Sequence, residues 1–285
     1  MKLTKGDKIG IIACSDPLTD ECRTQIKELL FILKELGLKV DVSPYLYNTD
    51  SPILLRGKLC GEILMTFYRD SGIKAIFDIS GGNTANEVLD YLNYEEIKNN
   101  PKPLFGYSDL TSVLNGIYYK SGISNFLYQI KNIYKDETGM SKDKFYQSLF
   151  QGTADLYDFS YEFIQGGTMD GIVIGGNIRS FLKLAGTPYE PDVTDKILLL
   201  ESLTGEVALM ISFLNQLKQM KVFHKIKGII LGTFTEMDKK GLKPDITEMV
   251  VKIADNKELP IVKTKEIGHS RYSAAVRIGK YIILK

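Results

Sequence analysis

Short runs of Ile, Val and Leu alternate along this chain with longer segments in which apolar residues recur every three or four positions. The first pattern suits strands buried on both faces and the second suits helices that cover them, so the spacing predicts parallel strands joined by crossover helices. Residues 8–13 read as a first strand. From Asp20 onward, Ile26, Leu29, Leu30, Leu33 and Leu36 share one face of a helix that stops at Gly37. Further strands are expected at 39–42, 75–79 and 103–107.

Between about Tyr128 and Gln165 the chain is rich in aromatic and charged residues but shows no strand alternation. A linker is expected there, at 131–165, dividing an N-terminal domain (1–130) from a C-terminal one (166–285). The second half has strand candidates of its own at 171–174, 197–200, 226–231 and 278–284, with a helix from about Glu206 to Met220. The expected fold class is α/β in two domains, the first built on a parallel sheet and the second on a mixed one. No internal repeat and no low-complexity tract is present.

Composition narrows the function classes. The 285 residues, 44% hydrophobic and 25% charged, suffice for a sizeable core, which excludes a disordered chain. A net charge of +1 provides no overall field for nucleic acid or an anionic membrane. Cys14, Cys22 and Cys60 are odd in number, lack the spacing of a zinc or redox pair, and are expected to be buried thiols. The apolar run from Ile9 to Ala13 is too short for a signal peptide or a membrane span, so a cytoplasmic protein is expected.

Open parallel sheets place reactive groups beyond the carboxyl ends of their strands. At Gly106-Tyr107-Ser108-Asp109 an apolar strand stops where a helix begins, so Ser108 either stands exposed on the turn as a nucleophile or serves as an ordinary helix N-cap. Gly81-Gly82-Asn83 also follows a strand; paired glycines there either present amides to an oxyanion or make a tight turn. Gly175-Gly176-Asn177 repeats the pattern and reads as a turn. Glu201 closes a very apolar strand and either needs a partner or reaches solvent. Of two histidines, His224 lies among lysines as a connector, whereas His269 sits in a loop suited to a catalytic base or to plain surface. No set of metal ligands is apparent, and neither a metal nor another cofactor is expected.

Taken in order, Gly81-Gly82, the approach from Asn100-Pro101-Lys102-Pro103 to Gly106-Tyr107-Ser108-Asp109, Gly175-Gly176-Asn177, Gly186-Thr187-Pro188, Leu200-Glu201 and Gly268-His269 resemble the LD-carboxypeptidases of peptidase family S66. That family includes the microcin C immunity peptidases. The resemblance runs over nearly the whole chain. It implies Ser108 as nucleophile, His269 as base and Glu201 as the acidic member of a triad, with the amides of Asp109 and Gly82 forming an oxyanion hole and Gly81 and Asn83 near the substrate. It further implies an active site between the domains, a small peptide or peptidoglycan fragment as substrate, release of terminal D-alanine, and a homodimer. Amide cleavage in a peptidyl adenylate analogue and a noncatalytic binding role are the alternatives. The chain departs from the family pattern at Asn125-Phe126-Leu127-Tyr128-Gln129, where a Gly-Pro element is common, and at Ser202 and Val207-Ala208-Leu209-Met210, where polar residues are common. It also has no Trp to stack on an adenine.

Overall fold

The computed structural model describes residues 2–285. The first half supplies β1 (Lys8–Ile12), β2 (Lys39–Val42), β3 (Ile73–Asp78), β4 (Leu104–Gly106) and β5 (Asn125–Leu127). These five pair in parallel; β1, β3, β4 and β5 are largely buried on both faces, whereas β2, at the sheet edge, is mostly exposed. The second half supplies β6 (Glu162–Gln165), β7 (Met169–Asn177), β8 (Lys196–Ser202), β9 (Gly228–Phe234), β10 (Ile261–Lys263), β11 (Val276–Ile278) and β12 (Tyr281–Leu284). Strands β7 to β10 are parallel, while β6 and β12 run antiparallel on the two edges, so this sheet is mixed. The molecule is thus a two-domain α/β protein with two six-stranded sheets, the first of which takes its sixth strand, β11, from the second half.

Packing follows the periodicity. The helix Arg23–Glu35 buries Ile26, Leu29 and Leu33 on the sheet and leaves Leu30 and Leu36 half-buried at the margins of that face. Phe77, Phe105 and Phe126 occupy neighbouring strands β3, β4 and β5 and stack at 4.5 and 4.4 Å between ring centroids, filling one face of the sheet.

Residues 131–165 hold more regular structure than their composition suggests: helices Asn132–Lys135 and Met140–Tyr146, a π-turn over Gln147–Gln151, and β6. Ile133, Phe145 and Leu149 face the first sheet's core, and of the charged residues between them only Asp136 is buried, accepting from the Thr138 and Ser141 amides at 2.9 and 2.7 Å. The short helices fall below the length at which a period is legible, which is why the segment reads as irregular.

Three expectations need correction. Residues 278–284 are not one strand: the chain turns at Gly279-Lys280, so β11 pairs antiparallel with β5 in the first sheet while β12 pairs antiparallel with β7 in the second. Gly175-Gly176-Asn177 is not a turn but the end of β7, pressed against the helix Thr111–Ser121 of the first half. A Cβ on Gly176 would stand 2.6 Å from Thr111 Oγ1, so only glycine permits this approach. Asn115 completes the seam, donating to the Gly175 carbonyl at 2.9 Å and accepting the Gly175 amide at 2.8 Å, while Thr111 Oγ1 accepts the Asn177 amide at 2.9 Å. Cys14 and Cys60 are buried, as expected, but Cys22 is partly exposed beside the first helix. No helix among the described residues is long and apolar enough to cross a membrane.

Candidate active site

Strand β4 ends at Gly106, and the chain turns through Tyr107 into a short 3-10 helix, Ser108–Leu110. Ser108 has φ of 54°, the left-handed region that a side chain rarely adopts. Its hydroxyl caps no helix: the cap positions belong to Tyr107 and Leu110. The strained turn instead lifts the half-buried Ser108 onto the wall of two adjoining cavities.

Glu201, near the end of β8, has no exposed surface, and the partner that its burial calls for is His269. His269 Nδ1 lies 2.7 Å from Glu201 Oε2. With Nδ1 carrying its hydrogen toward the carboxylate, Nε2 is left as the basic nitrogen, and Nε2 has no hydrogen-bond partner among the described residues. His269 and Ser108 line the same cavity of about 720 Å³. Gly268 makes the histidine's position possible, because at φ of 139° its backbone crosses Thr233 so closely that a Cβ would fall 1.9 Å from the threonine hydroxyl oxygen. His224 lies exposed on a short 3-10 turn, outside both cavities.

Gly81 and Gly82 lie beside Ser108: a Cβ on Gly81 would be 3.9 Å from the Ser108 Cβ, and both glycines line the larger cavity. Asn83 follows in the smaller cavity, of about 280 Å³, with its side chain engaged internally. Its Nδ2 donates to Asp16 Oδ2 at 3.2 Å and its Oδ1 accepts from Arg179 Nη1. Arg179 Nη2 also donates to the Gly82 carbonyl at 2.6 Å, and Lys183 Nζ donates to the Asn83 carbonyl at 2.6 Å. Two cations from the second half thus hold the glycine loop of the first.

Asp109 turns its carboxylate away from the cavities and into a fully buried junction. There it accepts from Ser15 Oγ at 2.7 Å, the Ala85 amide at 2.9 Å, Ser180 Oγ at 3.0 Å and Lys183 Nζ. The residue after the serine therefore ties together the ends of β1, the glycine loop and the C-terminal half, which fixes the turn on which Ser108 stands. Tyr107 packs its ring on the imidazole at 4.5 Å between centroids, and burial together with the nearby Glu201 charge pushes its phenol pKa well up. Among the described residues no cluster of His, Cys, Asp and Glu could hold a metal ion.

A hydroxyl on a strained turn, a carboxylate-held imidazole and a glycine loop at one cavity form a set able to attack a carbonyl. The LD-carboxypeptidase N-terminal domain model matches residues 9–128 and the LD-carboxypeptidase C-terminal domain model matches residues 170–284. The chain belongs to the LD-carboxypeptidase family, S66. Within this family it is 27% identical to the Bacillus subtilis protein named "Probable murein peptide carboxypeptidase", over 97% of this chain and 88% of that one. It is 25% identical to the Microcin C7 self-immunity protein MccF of Escherichia coli, over 97% and 90% of the two chains. The crystal structure of an MccF-like protein from Bacillus anthracis superposes with a TM-score of 0.83 at 29% identity, covering 99% of this chain and 94% of the other.

Family motifs pointed to Ser108, Glu201 and His269 but not to Tyr107, Arg179 or Lys183, nor to the side-chain role of Asp109. Arg179, in the short apolar helix that follows Gly-Gly-Asn, and Lys183, just past its end, carry no local sign that their charged ends cross to the other half. Tyr107 had one signal, its position inside Gly-Tyr-Ser-Asp.

Proposed function

We propose that this chain is a cytoplasmic serine carboxypeptidase that hydrolyses an L,D-peptide bond and releases terminal D-alanine from a murein tetrapeptide, acting as a homodimer. The observation that carries this reading is the imidazole held by Glu201 at 2.7 Å with its second nitrogen unengaged, over the cavity that Ser108 lines. In the reaction His269 takes the Ser108 proton as the hydroxyl attacks the amide carbonyl, and Glu201 stabilises the imidazolium. The amides of Gly82 and Asp109 receive the oxyanion, each contributing roughly 2.7–4 kcal/mol to the barrier reduction. The imidazolium protonates the departing amine, and water then releases the acyl group by the same route. Family membership and the murein-peptide relative support the substrate class.

Incubation with a murein tetrapeptide, with products identified by mass spectrometry, tests the reading: tripeptide and free D-alanine are expected. A second reading is favoured by the Gly81-Gly82-Asn83-Thr84-Ala85-Asn86 stretch, which looks closer to the immunity branch, and by the self-immunity relative. Under it, an acyl-sulfamoyl adenylate would be cleaved and the tetrapeptide would not. Tight binding of either ligand without turnover would leave a noncatalytic relative.

A further inference from the structure

The two cavities that meet at Ser108 differ in size and charge. The smaller, of about 280 Å³, is walled in part by Leu209, Phe213, Asn177 and one cation, Arg179, already engaged with Gly82 and Asn83, and lies below the size that accommodates an extended ligand. The larger, of about 720 Å³, carries Lys131, Lys135 and Arg271 together with Glu28 and Glu137. A carboxypeptidase of the kind proposed above expels one residue and keeps a longer acyl portion, so size alone puts the acyl portion on the larger side. Charge agrees, because the acyl portion of a murein stem peptide carries internal carboxylates and an amine, and this wall offers both signs.

Lys131 is the cation most in need of a partner. It is half-buried and its ammonium forms no ion pair and no side-chain hydrogen bond among the described residues. Burial, with Lys135 close by, lowers its pKa to about 8 against weaker opposing effects of Asp78 and Cys22. Arg271 is little committed: it reaches Glu137 only at 3.9 Å and donates to the Lys135 carbonyl at 3.3 Å. A desolvated ammonium without a counter-ion gains most from an arriving anion.

We infer that Lys131, flanked by Lys135 and Arg271, binds an internal carboxylate of the substrate's acyl portion, so that the larger cavity is the acyl side of the cleft and the smaller one receives the departing residue. The inference rests on the carboxypeptidase reading for the identity of the ligand, but its test does not require turnover. In a Ser108→Ala background, calorimetry would compare a murein tetrapeptide with free carboxylates, the same peptide with its internal carboxylates amidated, and the same peptide with only its terminal carboxylate amidated. Internal amidation is expected to weaken binding about tenfold, the scale of one charged hydrogen bond. Lys131→Gln should weaken the free peptide by a similar factor and make internal amidation nearly silent, while Lys131→Arg retains affinity. The inference is overturned if Lys131→Gln costs the same factor on the free and internally amidated peptides, if its effect follows the terminal carboxylate instead, or if none of the peptides binds. Should the coupling appear while the unsubstituted protein releases no D-alanine, the carboxypeptidase reading fails and the carboxylate site stands.

Discussion

Glu201 contributes one oxygen to His269 and leaves Oε1 with no partner, in a site closed to solvent. Its charge is thus held almost wholly by one imidazole, and Glu201→Gln would keep the shape while removing what holds the tautomer. In the proposed triad that change is expected to lower kcat by about 10⁴-fold. Ser108→Ala or His269→Ala should be at least as severe, and combining them should add little, as steady-state kinetics would reveal. Ser108 itself carries strain: a left-handed conformation costs a side-chain residue roughly 1–2 kcal/mol that glycine does not incur. Ser108→Gly should therefore be inactive yet more stable than Ser108→Ala by about that amount in denaturant unfolding. Lys131 makes a pH prediction with a definite sign. Its folded pKa of about 8 lies below the ordinary lysine value of 10.5, so the folded state releases its proton first. Stability from this group is lowest below pH 8 and rises toward 10.5, while its affinity for a carboxylate declines over the same range. Lys131→Gln should remove both trends, with Lys135, Asp78 and Cys22 the neighbouring titratable groups that modulate them.

At the scale of elements, the site is made where strand ends from one half meet a short helix from the other. Helix Ile178–Leu182 presents Arg179 to the Gly82 carbonyl and the Asn83 side chain, and Lys183, just beyond it, reaches Asp109. Arg179 is half-exposed, so its loss should barely change folding but should let the glycine loop drift. Arg179→Ala is expected to lower kcat about tenfold or more with KM little changed, the pattern of a contact that matters in the transition state, and Arg179→Lys should restore part of it. The strand and turn that carry Ser108 were legible because an apolar run ending in Gly-Tyr-Ser-Asp is a local pattern. The Arg179 contact was not, since it spans 97 positions to Gly82 and leaves no trace in either segment.

For the molecule as a whole, the two sheets do not behave as separable bodies. Strand β11, from the last dozen residues, closes the edge of the first sheet, while β12, three residues later, closes an edge of the second. Asn115 and Thr111 join the helix Thr111–Ser121, which follows the Ser108 turn, to β7 through three buried hydrogen bonds. Thermal unfolding is accordingly expected as one calorimetric transition rather than two. Asn115→Ala would leave both backbone groups of Gly175 unpaired at the seam. At about 1–3 kcal/mol for each buried unsatisfied group it should destabilise the whole protein, seen as a lower denaturant midpoint with the single transition retained. Two resolved transitions would show that the halves unfold independently.

Hydrophobic periodicity by itself determined the α/β class, most strands and the two principal amphipathic helices; the ends of those strands offered Ser108 and Glu201 only as candidates beside ordinary structural roles, and the family motifs singled them out together with His269. Strands and helices depend on neighbours within a few residues, where local sterics and burial on one face dominate. The short helices after Asn132, the split of the final strand between two sheets, and the use of Gly175-Gly176 as a packing seam were decided only in three dimensions. So was the pairing of Glu201 with His269 and the gathering of cations beside Ser108. Such contacts arise when distant surfaces are pressed together, and a buried charge acquires its partner only from whatever chain the packing brings to it.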